Sequence, residues 1–322
     1  MNKHDYALSR RGFCLCCLGG ATFAASGGWL TPAEVFAAAK SIVIQFREAA
    51  AAADIRTATL RGGISALSGS GGNIGVLVGD DGKLLVDAGL TGSRPRIEKA
   101  LADLGQQPIT HLINSHWHFD HTDGNEWLNS EGAVIMAHPN SLKHLAAATR
   151  VEDWNFDFPP SPKGALPTAL MKSDEETLKH NGQTIRLKYY GPAHTDSDIS
   201  VFFQEANVVH MGDTFWNGVY PFIDYSTGGS IDGQIQAAEA NVKMVDDETM
   251  VIPGHGEIGS KKDLTAWRDM LVGVRENVAR LKKDGRSAED TVAAKPTAEW
   301  DPVFGNWAIS PALFTRLVYE GV

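Results

Sequence analysis

Residues 116–121 read His-Trp-His-Phe-Asp-His. Three imidazoles and one carboxylate within six residues form a dense set of nitrogen and oxygen ligands, the kind that zinc or iron takes. Alternation along the chain can send His116 and His118 to one side, while Asp120 and His121 turn toward a second point. Three more candidates stand far along the chain: His194 in Gly-Pro-Ala-His-Thr, Asp213 in Met-Gly-Asp-Thr and His255 in Pro-Gly-His-Gly. The glycines near them allow sharp turns and a close approach of backbone to a metal. His111, His138, His144, His180 and His210 fall outside this pattern and read as packing or surface histidines.

The elements that must position these side chains are strands that end just before each of them. Strands are expected over 64–67, 73–79, 83–87, 110–114 and 133–137, with helices over 93–104, 124–129 and 140–147. Gly105 stops the first of those helices. Residues 152–167, rich in Pro, Trp and Phe, are expected to form a long loop. The second half repeats the style. A hairpin over 177–190 turns at Asn181-Gly182, strands follow over 199–203 and 207–211, then a helix over 231–245, a strand over 250–253 and a long helix over 262–283. Strands at 110–114, 184–190, 207–211 and 250–253 each deliver a candidate ligand at their end, so all could meet on one rim. Two runs of strands, each closed by helices, predict an α/β protein of two packed sheets with helices outside.

Composition narrows the function. The 322 residues are 43% hydrophobic and 21% charged, as in a soluble globular protein. A net charge of −10 makes nucleic acid an improbable partner. No internal stretch is apolar for long enough to give the mature chain a stable place in a membrane. Ser9-Arg10-Arg11 and Phe13, an apolar Gly/Ala-rich stretch and the small residues at 37–39 resemble a twin-arginine export signal over 1–39. Cys14 and Leu15 depart from that pattern. The signal implies the twin-arginine machinery as a partner, and a periplasmic or secreted enzyme that is exported folded. The chain's three cysteines, Cys14, Cys16 and Cys17, all fall inside this segment. The mature chain therefore offers no disulfide, thiol nucleophile or thiolate ligand.

The six-residue cluster, followed in order by His194, Asp213 and His255, resembles the metallo-β-lactamase-fold superfamily of hydrolases over about residues 57–260. The resemblance implies a four-layer αββα sandwich of two mixed β-sheets flanked by helices. It assigns residues 40–322 to one domain, with a helical extension from about 261 to 322. It implies two divalent metal ions, most readily zinc. His116, His118 and His194 would hold one, Asp120, His121 and His255 the other, and Asp213 would bridge them. Asp87, in Val-Asp-Ala-Gly, matches an acid of the family that orients a ligand imidazole.

Two such metals would share a hydroxide as nucleophile, with Asp120 as the catalytic group that orients it and shuttles its proton. Hydrolysis of a small-molecule ester, thioester or lactone is the expected reaction. Asp213 in Gly-Asp-Thr looks like the bridging ligand of glyoxalase II-type thioesterases and acyl-homoserine lactonases. β-Lactam hydrolysis is the alternative, although the cysteine-dependent subclass needs a thiolate that the mature chain lacks. A mononuclear iron sulfur dioxygenase and a non-catalytic exported binding protein rank lower, because all seven ligands are present. Trp117, Phe119, Trp216, Tyr220, Phe222 and Tyr225 surround these positions in sequence and are candidates for the pocket wall.

Overall fold

The computed structural model describes residues 42–322. Cys14, Cys16, Cys17, the Arg10-Arg11 pair and the rest of the expected export signal lie outside the described residues. A helix, α1 (Ile42–Ala50), leads into two sheets. The first has seven strands: β1 (Arg56–Thr59), β2 (Ile64–Ser68), β3 (Ile74–Leu77), β4 (Lys83–Val86), β5 (Ile109–Ile113), β6 (Val134–Ala137) and, beside β6, β9 (Ala169–Leu170). Strands β1 to β4 are antiparallel neighbours, whereas β4, β5, β6 and β9 run parallel. The second sheet orders β10 (Glu175–His180), β11 (Gln183–Tyr189), β12 (Ile199–Phe203), β13 (Val208–His210) and β14 (Met250–Ile252). Its first four strands are antiparallel and its last pair is parallel.

Period-two alternation sorts the side chains into layers. On β4, Leu84 and Val86 join Ile185, Val201 and Phe203 of the other sheet in one buried cluster. Leu85, between them, faces the opposite way. There it packs with Ile97 and Leu101 of α2 (Arg94–Leu104) and Trp127 and Leu128 of α4 (Asn125–Ser130). On the far sheet Val208 and Ile252 point to the shared interior. Val209 and Val251 point outward to helices α6 (Ile231–Met244), α7 (Lys261–Lys283) and α10 (Pro311–Gly321). The result is the expected sequence of helix, sheet, sheet and helix.

Local chemistry sets the ends of these elements. Asn181 and Gly182 both have positive φ (48° and 74°), the type I′ geometry of a two-residue hairpin. The Asn181 and Asp81 side chains each accept from the other's backbone N–H at 2.8 Å, tying the two hairpin tips, and so the two sheets, together. Ser260 and Asp263 cap α7 reciprocally.

The segment 152–167 is not a plain loop. Residues Phe156–Phe158 form β8, paired antiparallel with β7 (Thr149–Val151), and Arg150 bridges the pair to Asp157 at 2.9 Å. Two aromatic positions in an extended trio favour that pairing. The remaining short helices are α3 (Phe119–Thr122), α5 (Pro139–Ala146), α8 (Ala288–Ala293) and α9 (Asp301–Phe304). Among the described residues no helix is long and apolar enough to cross a membrane.

Candidate metal centre

Strand ends β5, β11, β13 and β14 bring seven side chains together. Two groups form: His116, His118, His194 and Asp213, then Asp120, His121 and His255, all buried, with ligand atoms in each group within 4.8 Å of one another. Asp213 joins them. Its Oδ2 lies 3.2 Å from His194 Nε2, 3.8 Å from His116 Nε2 and 3.5 Å from His255 Nε2, while its Oδ1 lies 3.1 Å from His121 Nε2. Asp120 Oδ2 sits 3.2 Å from His255 Nε2 and 3.6 Å from His121 Nε2. Gly254 makes the approach feasible, since a Cβ there would stand 1.9 Å from Asp213 Oδ1.

Outer hydrogen bonds fix which nitrogen each imidazole turns inward. His194 Nδ1 donates to the Phe222 carbonyl at 2.7 Å, so Nε2 faces the centre. His118 is reversed: its Nε2 pairs with Asp224 Oδ2 at 3.0 Å and Nδ1 faces inward. His121 Nδ1 donates to Asp87 Oδ2 at 2.8 Å. Ser115 gives its Oγ–H to the same Asp87 oxygen at 2.7 Å, so its own oxygen accepts from His116 Nδ1 at 3.1 Å. The inward atoms His116 Nε2, His121 Nε2 and Asp213 Oδ1 are buried with no hydrogen-bond partner. His118 Nδ1 and His194 Nε2 face each other at 2.9 Å with their protons committed elsewhere. Lone pairs so opposed, among buried carboxylates, fit a divalent cation and little else.

Electrostatics agree. Burial, reinforced by His121, holds His116 well below the usual histidine range, and burial likewise lowers His118 and His194. Neutral imidazole is the ligating form. Burial would lower His121 too, but Asp213, Asp120 and Asp87 raise it well above that range. Against the same burial, Asp213 and Asp120 push His255 up to about 9. Burial opposes ionisation of Asp213, yet His121 and His255 hold it far below the usual carboxylate range. A site with this affinity for protons exchanges them for metal, so its metal affinity falls in acid.

Asp87 has φ 67°, a left-handed conformation that costs a non-glycine residue energy. Its carboxylate is held by the Ser115 backbone N–H at 2.7 Å as well as by the Ser115 hydroxyl and His121. Asp224 plays the matching part on the other side, further anchored by the Thr227 hydroxyl at 2.6 Å.

Above the ligands lies a chamber with aromatic walls: Phe46, Phe119, Trp154, Trp216, Phe222 and Trp307. Trp216 packs on His255 with ring centroids 4.3 Å apart, and Trp154 on His118 at 4.8 Å. Phe119, Trp216 and Phe222, named from sequence as wall candidates, border it. The other three do not. Trp117 packs beneath the loop and donates to Thr227 Oγ1 at 3.1 Å. Tyr220 is fully buried, stacks on Phe314 at 4.7 Å and gives its hydroxyl proton to Asp301 at 2.9 Å. Tyr225 packs with the helical core, beside Gly321 of α10. Helices laid over the second sheet claim both tyrosines.

The five other histidines among the described residues serve elsewhere. His210 accepts from the Gly212 N–H and donates to the Asn73 carbonyl at 3.0 Å. His144 pairs with Asp196, His138 stacks on Tyr189, and His111 packs edge-on to His180. Sequence reasoning passed over Asp224, Ser115, Trp154, Phe46 and Trp307. Asp224 had a signal: an acid in an aromatic stretch, three residues before a threonine whose N–H its side chain accepts.

The family model of the metallo-beta-lactamase superfamily matches residues 67–255, which span every ligand position. The probable metallo-hydrolase MJ0888 of Methanocaldococcus jannaschii is 29% identical over 186 residues, 55% of this chain and 84% of that protein. Hydroxyacylglutathione hydrolase of Rhodospirillum rubrum is 25% identical over 148 residues, 46% of this chain and 48% of that protein. Among solved structures, the sec-alkyl sulfatase PisA1 double mutant superposes with a TM-score of 0.64 at 15% identity. That match covers 86% of this chain and 51% of the sulfatase. The DIM-1 metallo-beta-lactamase gives 0.54 at 20% identity, covering 68% and 97%. The chain thus spans only about half the length of the hydroxyacylglutathione hydrolase and of the sulfatase, and both structural likenesses speak for the fold alone. With a family match over more than half its length, and the His/Asp cluster inside that match, the chain belongs to the metallo-β-lactamase superfamily of metal-dependent hydrolases.

Proposed function

We propose that this chain is an exported dinuclear zinc hydrolase of a carbonyl ester, thioester or lactone. The observation that carries the reading is Asp213, whose two carboxylate oxygens face ligands of both groups. An all-nitrogen-and-oxygen ligand set supports zinc. When bound, the metals would supply Lewis acidity and lower the pKa of a water toward neutrality. Everything else is the work of the chain. Asp87 and Asp224 hold His121 and His118 in the ligating orientation. Asp120, at the floor of the chamber, accepts the proton of the attacking water on a carboxylate oxygen and returns it to the leaving group. Aromatic walls keep bulk water from the reacting carbonyl.

Chelator treatment should abolish turnover of a panel of esters, thioesters and lactones, and zinc should restore it. Turnover of none of the panel by the zinc-loaded chain would sink the assignment. Export rests on the Arg10-Arg11 signal. Replacing both with lysine keeps the charge but not the receptor-read pattern, so the chain should stay in the cytoplasm, folded and active. Full periplasmic recovery of that variant would point to a different export route.

A further inference from the structure

We infer that the chamber above the candidate metal centre selects an uncharged, largely apolar substrate group, and turns away substrates with an anionic tail. Phe46 meets Phe119 and Trp307 edge-on at 6.5 and 6.0 Å, Trp307 meets Trp216 at 5.3 Å, and Trp154 stacks on Phe222 at 4.7 Å. This aromatic ring closes over the ligands, with Ile42 and Ile309 filling the rim. Among the described residues that line it there is no lysine or arginine, and its only ionisable groups are ligands of the candidate metal centre. The arginine beside the rim is otherwise engaged: Arg47 lies over the Phe119 ring and pairs with Asp123 at 3.2 Å. A carboxylate or sulfonate distant from the reacting carbonyl would lose its hydration here and find no counter-ion.

Two of the walls come from the ends of the described chain, Phe46 on α1 and Trp307 after α9, so selectivity is built from segments outside the ligand-bearing loops.

The turnover part of the test rests on the hydrolase reading, whereas the binding part does not. The zinc-loaded chain is titrated with N-phenyl-1-naphthylamine and with 8-anilino-1-naphthalenesulfonate, which differ by one sulfonate. The neutral probe should bind at least about 10-fold tighter, the charge having no partner in the chamber. Trp307→Arg, or Phe46→Arg should that variant fail to fold, should narrow or reverse the preference. Equal or tighter binding of the sulfonate, or a preference that neither variant moves, would overturn the inference. In turnover, p-nitrophenyl hexanoate is compared with mono-p-nitrophenyl adipate, whose charge sits at the far end of the acyl chain. The neutral ester should lead by about 30-fold or more in kcat/KM, mostly through KM. Equal values would overturn the substrate class. If neither ester reacts but the probe preference holds, the hydrolase reading fails and the chamber's selectivity stands.

Discussion

His118 and Asp224 are 106 residues apart in the chain, yet their side chains meet at 3.0 Å in the buried interior. This pair turns the His118 ring so that Nδ1, rather than Nε2, faces the centre. The other ligand imidazoles with a placed outer partner present Nε2. The carboxylate is itself held by the backbone N–H and hydroxyl of Thr227, and Trp117 donates to that hydroxyl. Orientation of a ligand therefore depends on a loop that contributes no ligand.

Asp224→Ala should weaken metal binding about 10- to 100-fold, the usual cost of removing a group that orients a ligand histidine. The loss should fall on a metal that His116, His118 and His194 would hold. Competitive chelator titration of the variant against the wild-type chain measures it. An unchanged affinity would mean that His118 holds its ring without help.

Gly254→Ala should cost activity out of proportion to its size. The added methyl would sit 1.9 Å from Asp213 Oδ1 and 2.7 Å from the Gly212 backbone, so the carboxylate must leave its place between the two groups. Turnover should fall about 100-fold or more, as when a catalytic group is misplaced by an ångström. Circular dichroism should still report a folded chain. Wild-type turnover would show that Asp213 needs no such close approach.

What could be read from the sequence follows from how local the information was. That His116, His118, Asp120 and His121 gather with His194, Asp213 and His255 was legible, the first four because they crowd into six residues and the others because each trails a strand. Layering was legible from the order of elements, two runs of strands each closed by helices, but which way Leu84, Leu85 and Val86 face was not, since all three are apolar and buried. Strand β1 was not legible, since Arg56, Thr57, Ala58 and Thr59 are all exposed and carry no alternation. Asp224 serves a partner 106 residues away, a relation that only the fold creates. Tyr220 and Phe222 sit two residues apart in one loop, yet one packs against α10 and the other borders the chamber. Their types alone could not separate them. Phe46 and Trp307 reach the site from opposite ends of the described chain, and no spacing motif links them.

Asp153, next to the chamber residue Trp154, gives the account a pH signature away from the ligands. Burial, with Glu320 adding to it and Arg316 opposing, pushes its carboxyl up to about 6. The folded chain thus holds this proton more tightly than the unfolded chain does. Its contribution to stability is full below about pH 4 and is lost as pH rises through about 6. Asp153→Asn stays neutral throughout, so its stability relative to wild type should rise between pH 5 and pH 7.5. The gain should be about 1–2 kcal/mol, after discounting for the group's partial exposure. Thermal melts of both chains at the two pH values test this, and a constant difference would contradict it.

Asp213 is proposed to stand between two metals. Elemental analysis of the purified chain, prepared without chelator, tests it most directly. About two zinc-class ions per chain are expected, falling well below two in Asp213→Ala. One iron per chain, unaffected by that substitution, would contradict it.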